Sequence, residues 1–349
     1  MRKSIVATVL GAGLAALAAV LPAAAQDKKV RLQVAGAYPS TLAIIGEGQL
    51  VTVDRLRKMS GGSIDAKFFE PGALVPASQY FDAIGAGSLD SAWSSLGFFT
   101  GKEIAFALYS TVPFGPEVSE FLGWMKHGGG EKLMQENAKK FKMMVFNCGI
   151  VSPESSGWFR KEIKTLDDLK GLKMRFFGLG ANAMQKLGVS TQLLQAGEIF
   201  QALQLGTIDA TEFSMPLLDL NLGFYQVAKH YYFPGWHQMA SFTHLMISEP
   251  KWAEMSPAQQ EIVKGACEST MLNTMADESR NAAALQQIKS KGVEVHYWSK
   301  EFLDAFKKAW DEVAKEQSEK SPDFKKAWDS LTAFRAEFKV WKDNAYLKD

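Results

Sequence analysis

Hydrophobic and polar positions along the chain fall into short alternating runs separated by longer stretches of helical spacing. Val30 to Ala35 reads as a first strand. Thr41 to Met59 carries helical spacing and stops at Ser60-Gly61-Gly62. Ser63 to Phe69 is a second strand, closed by Glu70-Pro71-Gly72, and a helix over Ala77 to Ala86 leads to a third strand, Leu89 to Trp93. Strands that alternate with helices in this way imply a parallel sheet with crossover connections. A helical stretch over Glu117 to Lys140 is broken by Gly128-Gly129-Gly130, and Met143 to Cys148 is another strand.

The order then restarts. Thr165-Leu166-Asp167-Asp168 opens a short helix in the manner of a capping box. Strands are predicted over Lys173 to Phe177, Gln192 to Leu194 and Ala210 to Phe213, with helices over Ala181 to Leu187 and Glu198 to Leu205 between them. Residues 81–92 resemble residues 200–211 without a gap: Phe, Ala, Gly and Asp recur in register. Each copy reads as a helix stopped by glycine, then a turn and a strand. Two copies imply two similar α/β lobes, not a solenoid.

His244 to Ser248 is a further strand. Ser256-Pro257 starts a helix that the pattern extends to Lys291, roughly 50 Å of helix and enough to span two lobes. Val293 to Trp298 is a late strand. Lys300 to Lys320 and Pro322 to Tyr346 are amphipathic helices whose charged faces are solvated. The stripe Phe324, Trp328, Leu331 and Phe334 is a surface on which a second subunit would dock.

Residues 1–25 change the picture of where the chain works. Arg2 and Lys3 precede an uncharged run from Ile5 to Leu21, and Ala23-Ala24-Ala25 ends it. This is a secretory signal, with cleavage expected after Ala25 and an exported mature chain. The 39 basic and 38 acidic side chains give a formal charge of +1. That balance argues against a nucleic-acid partner or a polybasic membrane binder. Cys148 and Cys267 stand in no CxxC or zinc spacing, and two buried free thiols are expected, with a bridge as the alternative an exported chain allows.

The densest candidate chemistry lies between Gly149 and Gln238. Arg175 ends a strand that runs into Phe176-Phe177-Gly178-Leu179-Gly180 and a helix. Parallel sheets bind ligands beyond the carboxyl ends of their strands, and a guanidinium there fits a carboxylate bidentately. Residues 178–183 also match GxGxxA, with Glu198 beyond it, but the motif sits mid-chain and a glycine turn serving helix packing is the simpler account. Glu212 ends the second repeat copy where Trp93 ends the first. If Glu154 and Glu212 both face the cleft near Arg175, they need compensation by a hard cation or by a cationic or N–H-donating ligand. The aromatic run Tyr231 to Trp236 continues into His237-Gln238, and reads as a pocket wall with Gln238 as an oxygen ligand. Neither HExxH nor GxSxG occurs, and nothing in the spacing argues for catalysis.

The segments Met59 to Gly62, Phe69 to Gly72, Gly157-Trp158-Phe159, Leu166 to Arg175, Gly206 to Glu212 and Tyr231 to Trp236 resemble the solute receptors of tripartite ATP-independent periplasmic (TRAP) transporters, most closely the branch for 2-oxo and 2-hydroxy monocarboxylates. The resemblance implies a two-lobed α/β receptor that closes on a small carboxylate and delivers it to a membrane permease. It implies Arg175 on the ligand carboxylate, with Glu154, Phe213, Trp93, Phe98 and Trp236 around the ligand. It implies sodium or calcium held by Glu212, the carbonyl of Phe213, Gln238 and Glu154, and a homodimer through the C-terminal helices. The branch usually has Gln at the place of Glu154 and Trp at the place of Phe213, and Ile150 and Val151 replace residues that are often polar. An added carboxylate favours calcium over sodium, or accepts an N–H from a cyclic amino acid such as pyroglutamate.

The expected architecture is therefore a two-lobed periplasmic binding fold. One lobe is 27–149 with 241–287, the other 150–240 with 288–349, and the helix after Pro257 bridges them. The competing readings are an aromatic-lined sugar receptor of an ATP-driven importer, suggested by Trp93, Trp158 and Trp236, and a secreted enzyme.

Overall fold

The computed structural model describes residues 27–345. The leader and cleavage site expected from the sequence lie outside the described residues, as does Tyr346. Among the described residues eleven strands form two sheets: β1 Val30–Gly36, β2 Ile64–Phe69, β3 Ser91–Ser94, β4 Met143–Val151, β5 Gly157–Phe159, β6 Lys173–Arg175, β7 Ser190–Gln192, β8 Ala210–Thr211, β9 His230–Phe233, β10 Ser241–Ser248 and β11 Glu294–Tyr297. The first sheet has the order β2-β1-β3-β10-β4 and the second β11-β9-β5-β8-β6-β7. The chain has two lobes, one around each sheet.

In the first sheet β1 pairs parallel with β2 and β3, as the strand–helix alternation requires. β10 returns from the other half of the sequence and lies antiparallel between β3 and β4. All eight of its residues are buried, as expected for a strand covered on both faces. The two repeat copies fold alike but in different sheets. Tyr80–Gly85 leads to β3 and Ala196–Leu205 to β8. The matched Gly87 and Gly206 have φ of 72° and 73°, left-handed turns that a side chain would strain.

Two strands of the second sheet, β5 and β9, are absent from the periodicity reading. β5 has three residues and β9 is the aromatic run His230–Phe233, so neither shows a clean alternation. The long helix is also interrupted. It runs Pro257–Ala276, tightens to a 3-10 turn over Asp277–Arg280, and resumes as Asn281–Ser290. The first part packs on β4 and on the helix Ile45–Met59, and the second on the helix Pro216–Leu222. The break therefore falls where the chain leaves one half for the other. Arg280 holds it, pairing with Glu47 at 2.9 Å and Asp277 at 3.2 Å.

Cys148 and Cys267 are bonded to each other, not free, and both are buried. The bridge ties β4 to the helix Pro257–Ala276. Spacing gave no hint of it because 119 residues separate the two. The stripe Phe324, Leu331 and Phe334 is likewise used within the chain. Phe324 and Leu331 are fully buried, Trp328 meets Trp310 at 5.5 Å, and Phe334 covers Gly123 and Gly128. The last helix, Pro322–Ala345, thus crosses onto residues 106–139, which belong with the first sheet. No helix among the described residues is long and apolar enough to cross a membrane.

Candidate functional site

Arg175 is the last residue of β6, and its side chain turns inward from the carboxyl end of that strand. It is 2% exposed, yet it lines a cavity between the two sheets. Nη1 donates to the carboxylate of Glu212 at 2.8 Å and to its carbonyl at 2.7 Å, and Nε donates to the carbonyl of Leu194 at 3.3 Å. Nη2 has no protein partner among the described residues. The ring of Phe213 packs 5.4 Å from the guanidinium carbon. One arm is therefore fixed by the protein while another faces the cavity, the arrangement in which an arginine presents N–H donors to an anion.

Glu212 follows β8 and is fully buried. Besides Arg175 it accepts a short hydrogen bond from the backbone N–H of Phe177. Burial alone would raise its carboxyl, but Arg175, His237 and that N–H hold it below its ordinary range. Glu154 enters from the segment between β4 and β5 and accepts from the Ser214 hydroxyl at 2.8 Å. Burial pushes its carboxyl up to about 7, against the pull of His237. His237 Nε2 stands 3.7 Å from Glu154 and 3.6 Å from Glu212. Those distances are too long for hydrogen bonds and short enough for strong charge coupling in a buried site. Burial would lower the imidazole, but the two carboxylates prevail and hold it up to about 9.

Ser214 is itself braced. Its backbone N–H donates to Asp219, which also accepts from Trp158 Nε1 and the Tyr231 hydroxyl at 2.9 Å each. Trp158 and Tyr231 stack with their centroids 4.0 Å apart. Trp158 and Tyr231 thus act through Asp219, behind the cavity wall and not on it.

Three buried oxygens of the site have no hydrogen-bond partner, Glu154 Oε2, Glu212 Oε2 and Gln238 Oε1, and neither ring nitrogen of His237 has one. Gln238 Nε2 is oriented by donating to Ser241 at 3.0 Å. Orphaned buried acceptors are costly and rare. An all-oxygen set with two carboxylates is the donor chemistry that a hard cation takes, so these residues fit sodium or calcium. The buried group Glu154, Glu212 and His237 also lies within metal-ligating reach of one centre.

Of the residues singled out from the sequence, Arg175, Glu154, Phe98, Phe213 and Gln238 line the cavity. Glu212 sits just behind Arg175. Trp93 and Trp236 are placed elsewhere. Trp93 is fully buried between Gly48 and Gly149 and backs the ring of Tyr38 at 6.0 Å. Trp236 stacks on Phe306 of the helix Lys300–Lys320 at 4.8 Å. Large flat rings in these positions fill lobe cores, so both tryptophans are packing residues in the structure. Tyr38, Ser214, Thr243 and His237 were not recognised from the sequence. Tyr38 lies just past the carboxyl end of β1, where the rule that found Arg175 also applies. His237 stands between two residues already singled out. Thr243 belongs to β10, and only the chain's return into the first sheet brings it to the cleft.

The two halves meet over the cavity through Phe98 and Phe177, whose rings are 4.8 Å apart. The cavity is small, with about 40 Å³ of free space.

A family model for bacterial extracellular solute-binding proteins of family 7 (DctP) matches residues 36–321. A monocarboxylate 2-oxoacid-binding periplasmic protein of Nostoc is 33% identical over 315 residues, 89% of this chain and 86% of its own length. A TRAP transporter solute-binding protein of Bordetella bronchiseptica superposes with a TM-score of 0.89 at 33% identity, covering 91% of this chain and 95% of that one. That structure is a mixed-occupancy dimer with copurified calcium and picolinate in one active site. A periplasmic TRAP solute-binding protein of Pseudoalteromonas atlantica, with bound sodium and pyruvate, gives 0.87 at 28% identity over 91% and 97% of the two chains. With its two sheets, interlobe cleft and inward arginine, the chain belongs to the family 7 bacterial extracellular solute-binding proteins, the receptors of TRAP transporters.

Proposed function

We propose that this receptor binds a small 2-oxo or 2-hydroxy monocarboxylate together with a cation, in the periplasm, and passes the acid to a membrane permease. The observation that carries the reading is the arginine on the cavity wall. Arg175 has one nitrogen committed to Glu212 and one without a protein partner. A carboxylate ligand completes that guanidinium. A short acid suits the small cavity.

The cation reading rests on charge. Glu154 and Glu212 carry two negative charges, Arg175 one positive charge, and a carboxylate ligand adds a third negative one. Calcium brings that set to neutrality if the bound ion displaces the proton that His237 holds in the empty site, whereas sodium does so only with that proton kept beside the ion. Burying an uncompensated charge is expensive, so calcium is the favoured occupant. The same reading takes 27–149 with 241–287 as one lobe and 150–240 with 288–349 as the other, amended so that the chain crosses at Asp277–Arg280 and its last helix packs back on the first lobe. It removes the leader after Ala25 and treats the chain as a receptor and not an enzyme. Dimerisation belongs to the proposal as well. With the Phe324 stripe consumed internally, Val340 and Trp341 are the exposed apolar residues at the end of the last helix, and sedimentation of Trp341→Glu tests them.

Neutral-sugar binding is disfavoured by one observation. Trp93, Trp158 and Trp236 are all absent from the cavity wall. The deciding experiment is a titration of the mature chain with pyruvate, lactate, pyroglutamate and glucose, each with calcium, with sodium, and after chelation. Pyruvate or lactate binding that needs the cation supports the proposal. Preference for glucose, or cation-independent binding, overturns it.

A further inference from the structure

A second cluster of metal-ligating side chains lies far from Arg175, at the free edge of the second sheet. β9 and β11 pair in parallel, with Glu294 opposite His230 and His296 opposite Tyr232. His230 Nδ1 and His296 Nε2 stand 3.0 Å apart. Glu294 Oε2 lies 3.7 Å from the first and 3.8 Å from the second. The second nitrogen of His296, Nδ1, faces Glu162 at 4.0 Å. Both imidazoles are partly exposed, and Glu294 is mostly exposed.

We infer that His230, His296 and Glu294 form a binding site for a borderline divalent metal, zinc foremost. A four-coordinate zinc with bonds of about 2.0–2.1 Å sets neighbouring donors about 3.3 Å apart. The three donor atoms here are within a few tenths of an ångström of that triangle, and solvent access leaves a fourth position for water. Two imidazoles and one carboxylate select zinc, nickel or copper, not calcium. Glu162 faces the far nitrogen of His296 at 4.0 Å, beyond hydrogen-bond length, so it adds charge near the ring and does not fix it. The ring is held by stacking on Tyr232 at 4.7 Å, and Tyr232 stacks in turn on Trp298. A metal here clips β11, the strand that leads into the helix Lys300–Lys320, to β9. The site is independent of the carboxylate reading, since none of its residues lines the cleft.

The test is a zinc titration of the untagged mature chain, stripped with chelator and then held in excess calcium so that the cleft oxygens are masked. The expected result is one saturable equivalent of zinc that raises the melting temperature. His230→Ala and His296→Ala each abolish it. Cobalt in place of zinc reads the site in the wild-type chain without any substitution, through visible bands of a four- or five-coordinate nitrogen–oxygen set. Circular dichroism establishes that the variants fold. Undiminished zinc binding in the His230→Ala/His296→Ala double variant overturns the proposal. So does a wild-type chain with no saturable zinc binding and only octahedral cobalt.

Discussion

Arg175 holds Glu212 twice, through its carboxylate at 2.8 Å and through its backbone carbonyl at 2.7 Å. The two contacts fix the guanidinium relative to the end of β8, so the arginine is pre-oriented before any ligand arrives. Pre-orientation matters because a free side chain of this length loses about 2 kcal/mol of rotamer freedom when immobilised. Part of that cost is met within the fold and not by the ligand.

Arg175→Lys separates charge from geometry. An ammonium keeps the positive charge beside Glu212 but cannot serve Glu212 and a ligand carboxylate through a planar fork. The variant is expected to fold, with pyruvate binding weaker by about 10–100-fold, or about 1.4–2.7 kcal/mol. Arg175→Ala leaves Glu212 buried without its partner and costs about 3–5 kcal/mol of stability as well. Calorimetric titration and thermal melting check both. Unaltered affinity in either variant would remove Arg175 from the ligand.

Glu154 sets the cation. Its Oε1 is taken by Ser214, and its Oε2 has no partner. Glu154→Gln removes one negative charge and keeps one oxygen in place. Calcium affinity should fall by at least about tenfold, and ligand binding should shift towards dependence on sodium. Titration of the acid in calcium and in sodium reads the exchange. Equal calcium dependence in the variant and the wild type would mean that Glu154 does not touch the ion.

Much of this was legible in the sequence because local rules carried it. The strand–helix order of the first sheet, the paired Gly87 and Gly206 turns, and an arginine at a strand end follow from spacing and turn chemistry. β5, β9 and the break at Asp277–Arg280 did not, because they depend on which distant surface each segment meets. Trp93 and Trp236 stand off the cavity wall for a related reason. An aromatic residue near a strand end serves a pocket or a core equally well, and only packing decides. His237 is legible only once Glu154 and Glu212, 58 residues apart in sequence, are known to face each other.

The bridge between Cys148 and Cys267 closes a long loop and joins β4 to the helix that crosses between the halves. A cross-link of this span restricts the unfolded chain, for about 2–4 kcal/mol of stability. The Cys148→Ser/Cys267→Ser pair, or reduction with a thiol, should lower the denaturation midpoint accordingly while leaving pyruvate affinity nearly unchanged, since neither sulfur reaches the cavity. Chemical denaturation with and without reductant measures it. An unchanged midpoint would show that the bridge contributes nothing to stability.

His244 gives the fold a pH dependence that is separable from the cleft. It is fully buried in β10, where Nδ1 accepts from the N–H of Leu96 at 3.2 Å and Nε2 donates to the carbonyl of Tyr109 at 3.3 Å. That pair of contacts requires the neutral ring. Burial lowers its pKa to about 3, from an ordinary 6.5. The unfolded chain therefore binds a proton below pH 6.5 that the folded chain refuses, and stability falls as pH drops from 6.5 towards 3. The loss approaches about 1.4 kcal/mol per pH unit, or about 2 kcal/mol at pH 5. His244→Gln removes this titration. The variant is expected to be less stable than the wild type at pH 7.5, with the gap narrowing by about 2 kcal/mol at pH 5. The difference isolates His244, because Glu154, His237 and the other carboxylates titrate in both proteins. Urea denaturation at the two pH values reads it, and a gap that stays constant would mean that His244 is not held neutral.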